Sequence, residues 1–339
     1  MRIKIFCSDE GFGHIVRQRA IITELLKDGH VITLQTKDKI GVVKSFFGNK
    51  ISYVEKFNNI RTVKSEGALD KGLTSKTMSN YLLKFVQRVN EEVIGLEGYD
   101  LVISDLVPEA IVAGKILGLK TFGVCHHTWD WLFGKVFGDT DYVKLLEIAT
   151  REVDTIFFPP FTPDEIIQKY NDKAVRVPFI VYPFEKVIVP EDKFNILVLD
   201  SGTNILKSII NKNKECFKEL SDYNFIIPKE INKVHNLIPS VDLVISRAGF
   251  NTISDCIIAK TPMLLIDEPE NPEIDHNLSR IKELGLCKVM SVNDYKNCFK
   301  KEFKSFMKKD YKKLRDMVKK YEFNNNGAQK ICEAIKRCQ

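Results

Sequence analysis

The sequence lacks the features that mark membrane, secreted or fibrous proteins. Its 339 residues contain no apolar run long enough to span a bilayer, no low-complexity segment and no internal repeat. The N-terminus has no long apolar stretch of the signal-peptide type and starts directly with a strand-like run. Apolar residues make up 44% and charged residues 28%, as in ordinary globular proteins. These observations predict a cytoplasmic protein with no transmembrane segment.

Paired cysteines are also absent. None of the eight cysteines forms a CxxC pair, and several lie inside apolar segments. Cysteines in such surroundings are typically reduced and buried. Because zinc sites need ligands at paired spacing, no metal site is predicted.

Acidic residues are scarce in one region near the C-terminus. From 296 to 320 the chain has eleven lysines or arginines but three acids, whereas the whole chain carries a net charge of +6. A basic surface of this kind can face phosphates, nucleic acid or anionic lipid. The simpler interpretation is a helix whose lysines face solvent, and we favour it because apolar residues interrupt the charges at helical spacing. These residues are Phe303, Phe306, Tyr311, Leu314 and Val318.

The order of the predicted elements gives the fold class. Strand-like runs at 2–7, 30–35, 101–104 and 121–125 alternate with helical patterns at 15–26 and 110–117. Prolines over 177–194 interrupt this alternation, and new strands follow at 195–199, 243–246 and 263–266. Buried strands that alternate with helices predict an α/β fold with parallel, doubly wound sheets.

Two domains are expected for a chain of this length. We predict an N-terminal, acceptor-side Rossmann-like domain over 1–185 and a second Rossmann-like domain over 194–315. A C-terminal helix over 316–339 is expected to brace them. Open α/β sheets bind ligands beyond the carboxyl ends of their strands, so the sequence predicts a binding cleft between the domains.

A glycine-containing loop, SDEGFGH, follows the first predicted strand at 8–14. Its two glycines permit a tight turn, and the helix N-terminus that follows can bind an anion or a polar sugar. The dinucleotide-binding fingerprint fits poorly because Val16 replaces its third glycine. His14 is placed to act as a general base, with a structural histidine as the alternative. Arg17 can contact a phosphate or face solvent.

Two further loops carry candidate site residues. Asp105 ends a predicted strand, where it can bind substrate hydroxyls, orient His14 or cap the next helix. The run CHHTWDW at 125–131 holds both tryptophans of the chain beside two histidines. It is either an acceptor-binding wall, since aromatic rings stack on sugars, or a structural corner.

The block Ser246–Asn277 holds the most specific pattern. Its small residues at 246–249 fall where a predicted strand meets a helix, a junction that suits a pyrophosphate. Asp255 lies farther along that helix and can accept hydrogen bonds from ribose hydroxyls. The run 275–277, Asp-His-Asn, can bond the hydroxyls of a sugar.

In order and spacing, this block resembles the donor-binding block of the GT-B glycosyltransferases related to the peptidoglycan N-acetylglucosaminyltransferase and to the UDP-glycosyltransferases. Asp255 stands where that family has Glu, and Lys260-Thr261-Pro262 stands where it has Gly-x-Pro. The runs GFGHIVR at 11–17, SDLVP at 104–108 and WDW at 129–131 resemble the glycosyltransferase-like part of plant L-arabinokinases. No kinase half follows, so no kinase activity is expected.

The resemblance implies an inverting, metal-independent glycosyltransferase that moves a sugar from a nucleoside diphosphate sugar, expected to be UDP-linked, to an acceptor hydroxyl without a cofactor. The candidate catalytic residues are His14, as the base, and Asp105. The candidate donor-binding residues are Gly13, Arg17, Ser201, Gly202, Thr203, Ser246, Arg247, Gly249, Asn251, Thr252, Asp255, Asp275, His276 and Asn277. The candidate acceptor-binding residues are Glu10, His126, His127 and Trp129.

Two other functions fit the same residues. One is epimerisation or hydrolysis of a UDP-sugar, in which Asp105, Glu109 and His126 would be the acid and base groups. The other is non-catalytic binding of a nucleotide sugar, because a fold alone does not establish catalysis. The acceptor is not identified. The basic segment suits an anionic one, such as nucleic acid or a lipid-linked phosphate, which would place the protein at a membrane surface.

Overall fold

A computed structural model describes residues 1–56, 60–65, 68–105, 107–185, 187–190, 192–199, 207–228, 234–268 and 270–338. The chain forms two compact units. The first consists of Met1–Ser65, Leu69–Tyr182 and Asn325–Gln339, and the second chiefly of Pro183–Asn324. The predicted C-terminal segment 316–339 is therefore divided between the two units.

Each unit is built on one parallel sheet. In chain order the strands are β1 (Arg2–Cys7), β2 (Val31–Gln35), β3 (Ser52–Val54), β4 (Lys64–Ser65), β5 (Ala68–Leu69), β6 (Leu101–Asp105), β7 (Lys120–Val124), β8 (Thr155–Phe158), β9 (Ala174–Arg176), β10 (Phe194–Val198), β11 (Tyr223–Ile226), β12 (Leu243–Arg247), β13 (Met263–Ile266) and β14 (Cys287–Met290). The first sheet has the order β3-β2-β1-β6-β7-β8-β9, and the second has β11-β10-β12-β13-β14. A separate small sheet pairs β4 with β5.

Helices connect the strands, as parallel pairing requires. They are α1 (Gly13–Lys27), α2 (Ile40–Phe47), α3 (Lys71–Leu83), α4 (Phe85–Gly95), α5 (Pro108–Ile116), α6 (Trp129–Phe137), α7 (Asp141–Arg151), α8 (Asp164–Lys169), α9 (Lys207–Glu219), α10 (Val234–Leu237), α11 (Phe250–Ala259), α12 (Pro272–Glu283), α13 (Val292–Asn297), α14 (Phe299–Lys309), α15 (Tyr311–Lys320) and α16 (Gly327–Lys336). The prediction of α/β domains with parallel, doubly wound sheets is confirmed.

Helices cover both faces of the first sheet, which explains why its central strands are mostly apolar. Successive residues of β1 point to opposite faces. Ile5 therefore packs with α1, α2 and α16, whereas Phe6 packs with α4, α5 and α7. The loops that follow the strands lie beyond the carboxyl ends of the strands.

The last helix, α16, belongs to the first unit. Asn325 holds the chain ahead of it, since its side chain accepts from the backbone nitrogen of Val181 at 2.8 Å and donates to the carbonyl of Val181 at 2.9 Å. Ile331 and Ile335 of α16 are buried in the core that α1 also lines. The C-terminal residues are thus part of the core that supports β1 and α1.

The basic segment covers the end of α13 and the whole of α14 and α15 in the second unit. The predicted apolar stripe is confirmed, because Phe303, Phe306, Tyr311, Leu314 and Val318 are all buried. Nine of the eleven basic residues at 296–320 are exposed. Among the described residues, no helix combines the length and apolar character needed to cross a bilayer.

Candidate active site

The first unit places its candidate residues where the strand order of its sheet reverses. The order changes direction between β1 and β6, and open α/β sheets bind ligands beyond the carboxyl ends of strands at such a point. Cys7 at the end of β1 pairs in register with Asp105 at the end of β6. The loop after β1 turns at Gly11, whose φ of 64° lies in the region that favours glycine. This turn leads into α1 and brings His14 beside Asp105.

His14 and Asp105 form a buried pair. Their Nδ1 and Oδ1 atoms are 2.9 Å apart, Asp105 is fully buried, and His14 is 7% exposed. An ionised carboxylate only accepts hydrogen bonds, and this contact is shorter than the 3.2 Å between Nδ1 and Nη2 of Arg17, so the proton of the neutral imidazole is assigned to Nδ1. The Nε2 atom then carries a lone pair, and no hydrogen bond from the described residues engages it. The pair has the arrangement of a base and the group that orients it.

Asp105 is held as an anion despite its burial. Burial by itself raises the pKa of a carboxyl group, but the positive charge of Arg17 and the hydrogen bonds from His14 and Gln18 outweigh it, so the pKa of Asp105 is well below its ordinary value. Nη2 of Arg17 lies 2.6 Å from Oδ1, and Nε2 of Gln18 donates to Oδ2 at 3.2 Å. Asp105 therefore orients His14, one of the three roles considered for it.

Arg17 has no exposed surface. The alternative that it faces solvent is wrong, because α1 turns the guanidinium inward onto Asp105. Its Nη1 atom also lies 3.2 Å from Nδ1 of His126. Its assignment to a donor phosphate stays a prediction, and such contact would require Arg17 to give up bonds to Asp105 or His126.

The loop at 125–131 brings two histidines to this cluster and places a tryptophan in the core. Nε2 of His126 and Nδ1 of His127 are 3.0 Å apart, and both side chains are buried. Trp129 is also buried and stacks on Phe133, with ring centroids 5.3 Å apart. This geometry gives Trp129 the packing role of a structural corner, while acceptor binding by the two histidines stays a prediction.

Acidic residues of the first loop fix the neighbouring segments. Glu10 accepts hydrogen bonds from the hydroxyl and the backbone nitrogen of Thr62, at 2.6 and 3.2 Å. Asp9, which the sequence did not single out, accepts from the Thr36 hydroxyl at 2.7 Å and from two backbone nitrogens after β2. Gly13 opens α1, whose N-terminus is capped by no described side chain. The loop is thus braced while that helix end stays available to a ligand.

Glu109 lies at the start of α5 and is buried. The Tyr81 hydroxyl donates to its Oε2 at 2.5 Å. Burial raises the pKa of Glu109, and the bond from Tyr81 only partly opposes this. Its carboxyl group is therefore bound inside the fold among α3 and α5, which does not favour an acid or base role toward a substrate.

In the second unit, the sheet order reverses between β10 and β12. The candidate donor-binding residues after β10, Ser201, Gly202 and Thr203, lie outside the described residues. After β12, Gly249 is the N-cap of α11, and no described side chain caps this helix. Asn251 and Thr252 lie half-buried in its first turn. This helix end can bind an anion through its backbone N–H groups.

Ser246 and Asn277 lie beneath this helix end. Ser246 is fully buried and its hydroxyl donates to the carbonyl of Arg247 at 3.0 Å. Asn277 is also buried, and its Nδ2 donates to the carbonyl of Ala248 at 3.1 Å. Both side chains therefore shape the loop at 247–249, and direct donor contact by either stays a prediction.

Arg247 is paired with a glutamate that the sequence did not single out. Its Nη1 lies 2.5 Å from Oε2 of Glu268, and both side chains are almost fully buried. Arg247 ends β12 and is in register with Ile266, which ends β13, so Glu268 follows at the same edge of the sheet. Asn271 donates to the other oxygen of Glu268 at 3.1 Å. The positive charge of Arg247 is thus balanced within the fold.

Asp255 is paired with His235 of α10. Oδ2 of Asp255 and Nδ1 of His235 are 3.0 Å apart, and both residues are buried. Burial raises the pKa of Asp255, against the lowering effect of His235. The imidazole stacks on Phe184 with ring centroids 4.5 Å apart. No pattern in the sequence indicates His235, because it lies 20 residues before Asp255 with β12 between them.

The three neighbours at 275–277 point in different directions from α12. Asp275 is exposed and His276 half-buried, in contrast to Asn277. Partial burial and the carboxylates of Asp267 and Glu268 raise the pKa of Asp275. Only the first two of these side chains reach the surface of the helix.

Comparisons with known proteins support the fold of the whole chain and find a known family domain in the second unit. A model of the glycosyltransferase family 28 C-terminal domain matches residues 194–334. An uncharacterised glycosyltransferase of Methanopyrus kandleri is 24% identical over 261 residues, which are 67% of this chain and 74% of that protein. The UDP-N-acetylglucosamine–N-acetylmuramyl-(pentapeptide) pyrophosphoryl-undecaprenol N-acetylglucosamine transferase of Prochlorococcus marinus is 30% identical over 131 residues, 36% of each chain. The match thus spans little more than a third of that relative.

Among solved structures, the spinosyn rhamnosyltransferase SpnG in complex with thymidine diphosphate superposes with a TM-score of 0.66 at 12% identity, covering 99% of this chain and 100% of that one. At this identity the likeness concerns the fold. The second unit thus matches a glycosyltransferase family domain over residues 194–334, and the two parallel-sheet units, with the solved structures that superpose on them, show the GT-B fold.

Proposed function

We propose that the chain transfers a sugar from a UDP-linked donor to an acceptor hydroxyl, with inversion at the anomeric carbon and without a catalytic metal. The buried pair of His14 and Asp105 at the switch point of the first sheet is the observation that carries this proposal. In it, Nε2 of His14 removes the proton of the acceptor hydroxyl as the new glycosidic bond forms. Attack from the face opposite to the departing diphosphate gives inversion.

The second unit supplies the donor-binding half. The uncapped N-terminus of α11 offers N–H groups to the diphosphate, and Asp255 offers a carboxylate to the ribose. We assign the uridine base because the family-matched region is shared with a relative whose name includes UDP-N-acetylglucosamine. The SpnG complex contains thymidine diphosphate instead, so the base is one of the points to be tested.

Metal independence rests on the groups that would face the leaving diphosphate. Backbone N–H groups held in place by Asn277 need no rearrangement as negative charge develops, which is the basis of electrostatic stabilisation in enzymes. Arg247 adds positive charge at the same edge, shared with Glu268. A nucleoside diphosphate would compete with Glu268 for this guanidinium.

The transfer reaction is favoured over epimerisation or hydrolysis by the placement of Glu109. Those reactions need additional acid and base groups beside the sugar. Glu109 was a candidate for that role, but Tyr81 holds its carboxyl group inside the fold.

The first test measures UDP release from UDP-N-acetylglucosamine with a panel of hydroxyl acceptors, in the wild type and in His14→Ala. A general base contributes about 10²–10⁴-fold, so His14→Ala is expected to lose that much turnover. His30→Gln is the matched control, because His30 precedes β2 and lies at the amino-terminal end of the strands, away from His14. Turnover of His14→Ala within threefold of the wild type would refute the assignment of the base.

The donor half is tested by heat denaturation with UDP, GDP, dTDP, CDP and NAD. A ligand that binds only the folded state adds about 2.7 kcal/mol at a hundredfold excess over its Kd. We expect a shift with UDP that Asp255→Ala reduces. A shift with another nucleotide alone would refute the uridine assignment, and retention of anomeric configuration or loss of turnover in EDTA would refute the mechanism.

A further inference from the structure

The cluster around Asp105 extends beyond the base and the group that orients it. The guanidinium of Arg17 lies between two partners, with Nη2 at 2.6 Å from Oδ1 of Asp105 and Nη1 at 3.2 Å from Nδ1 of His126. His126 in turn lies 3.0 Å from His127 through its Nε2 atom. Four buried side chains thus form one continuous chain of hydrogen bonds from β6 to the loop after β7.

The chemistry of arginine sets the direction of this chain. A guanidinium has only donors and keeps its charge at any ordinary pH, so Nδ1 of His126 must accept. The proton of the neutral His126 ring is then on Nε2, which donates to Nδ1 of His127. The proton of His127 is therefore on its own Nε2. The tautomers of both histidines follow from one residue that cannot change its protonation.

We infer that Arg17 is a positioning residue that fixes the tautomers of His126 and His127 while it holds Asp105 in place for His14. The two sides of the cluster thus have opposite tautomers, because Nδ1 of His14 lies 3.2 Å from Nη2 of Arg17 but closer, at 2.9 Å, to the carboxylate of Asp105, to which it donates. His14 carries its proton on Nδ1 and keeps a basic Nε2, whereas His127 carries its proton on Nε2 and serves as a hydrogen-bond donor to an oxygen atom. The inference deepens the proposed function. The role of His127 as a donor to an acceptor molecule rests on that proposed function.

The burial of the cluster gives this arrangement its rigidity. Arg17 and Asp105 have no exposed surface, and His126 is 4% exposed. A buried hydrogen bond resists reversal, because the reversed arrangement leaves a donor or an acceptor unpaired in a medium of low polarity. Reversal of the His126 ring would bring an N–H against the N–H of Arg17. The observed direction is therefore the stable one.

The test is ¹⁵N NMR of the full chain labelled at histidine, without any substrate. Protonated and unprotonated ring nitrogens have well-separated chemical shifts, so each tautomer is read directly. The six histidines are assigned with His126→Gln, His127→Gln and His14→Gln. We expect Nε2–H at His126 and His127 and Nδ1–H at His14. An Nδ1–H tautomer or an imidazolium at His126 at neutral pH would overturn the inference.

Arg17→Lys tests the role of the planar guanidinium. A lysine ammonium keeps the charge beside Asp105 but cannot bridge two partners as a planar guanidinium does. We expect the Nε2–H preference of His126 to be lost. Arg19→Lys is the matched control on the same helix, because Arg19 lies over the rings of Phe46 and Tyr182 instead. It is expected to leave the spectrum of His126 unchanged.

The outcomes separate this inference from the proposed function. An unchanged His126 tautomer in a folded Arg17→Lys protein would overturn the positioning role. If Arg17→Lys does not fold, the wild-type spectrum still decides the direction of the chain. The NMR experiment needs no substrate, so the two ideas can fail separately. The predicted tautomers together with no sugar transfer would refute the proposed function alone. Reversed tautomers together with normal transfer would refute the inference alone.

Discussion

Replacement of Asp105 by asparagine tests both the stability and the chemistry of the first unit. Asp105 is fully buried and accepts from His14, Arg17 and Gln18 at 2.9, 2.6 and 3.2 Å. Asparagine has the same shape but replaces one oxygen with an NH₂ group and removes the negative charge. If the NH₂ faces Gln18, two donors oppose each other. If it faces His14, the imidazole must adopt the other tautomer and its Nε2 is no longer basic.

Both magnitudes follow from this geometry. Removal of one partner of a buried ion pair costs about 3–5 kcal/mol, because the remaining charge, here Arg17, has no counterion. In a hydrolase whose histidine is oriented by aspartate, the same substitution lowers kcat by about 10⁴. We expect Asp105→Asn to lose about 3–5 kcal/mol of unfolding free energy and at least about 10²-fold of UDP release.

The assays are urea unfolding and UDP release, with Asp100→Asn as the matched control. Asp100 precedes the same strand at its other end, is exposed, and accepts from the backbone nitrogen of Arg2 at 2.6 Å, so its loss should cost about 1 kcal/mol or less. A loss below about 1 kcal/mol for Asp105→Asn, or turnover within threefold of the wild type, would refute the reasoning.

The pH dependence gives a further check on Asp105. Its pKa is lower in the folded state than the ordinary value of about 3.9. The stabilisation is therefore present at neutral pH and is lost as the pH falls below about 4 toward the folded-state pKa. The stability difference between wild type and Asp105→Asn should shrink over that range, and a difference independent of pH would contradict this assignment.

Two further predictions concern burial and packing. Burial raises the pKa of Glu109, so its ionisation destabilises the fold as the pH rises above about 4.3. Glu109→Gln should therefore gain stability relative to wild type between pH 4 and pH 8 in urea titrations, and an equal difference at both pH values would contradict this. Gly327→Ala should cost about 1–3 kcal/mol of unfolding free energy, since its Cβ would overlap the carbonyl oxygen of Pro178. Gly41→Ala lies in open space on α2 and should add about 0.5–1 kcal/mol. Thermal unfolding of both variants checks this contrast, and equal effects would disprove it.

The strands and the helices beside them were predictable because their signals are local. The predicted strand at 263–266 coincides with β13, and the predicted strand at 2–7 coincides with β1. Both are apolar runs with turn residues at their ends, as expected for strands buried on both faces. The pairing of His14 with Asp105 was one of three alternatives that the sequence left open for Asp105, since the loop with His14 follows β1, Asp105 ends β6, and parallel strands bring their carboxyl ends to one edge.

The partners of the site residues were not predictable in the same way. Glu268 and His235 have no spacing relation to Arg247 and Asp255, and each pair forms only because adjacent elements of the second unit bring distant segments together. Arg17 was placed at a phosphate or in solvent because one helical turn after His14 is compatible with either. The direction in which the Arg17 side chain points depends on its partners at the end of β6 and in the loop after β7.

By itself the sequence determined the class of fold, the positions of the loops that follow the strands, and the types of residue that those loops carry. These depend on hydrophobic periodicity and on glycine and proline, which act over a few residues. Only the tertiary structure decided which polar side chains pair, which are buried, and in which direction their hydrogen bonds run. The physical reason is that pairing and desolvation are set by neighbours far apart in the chain: Asp105 is an oriented anion because Arg17 and His14 of α1 lie against the end of β6.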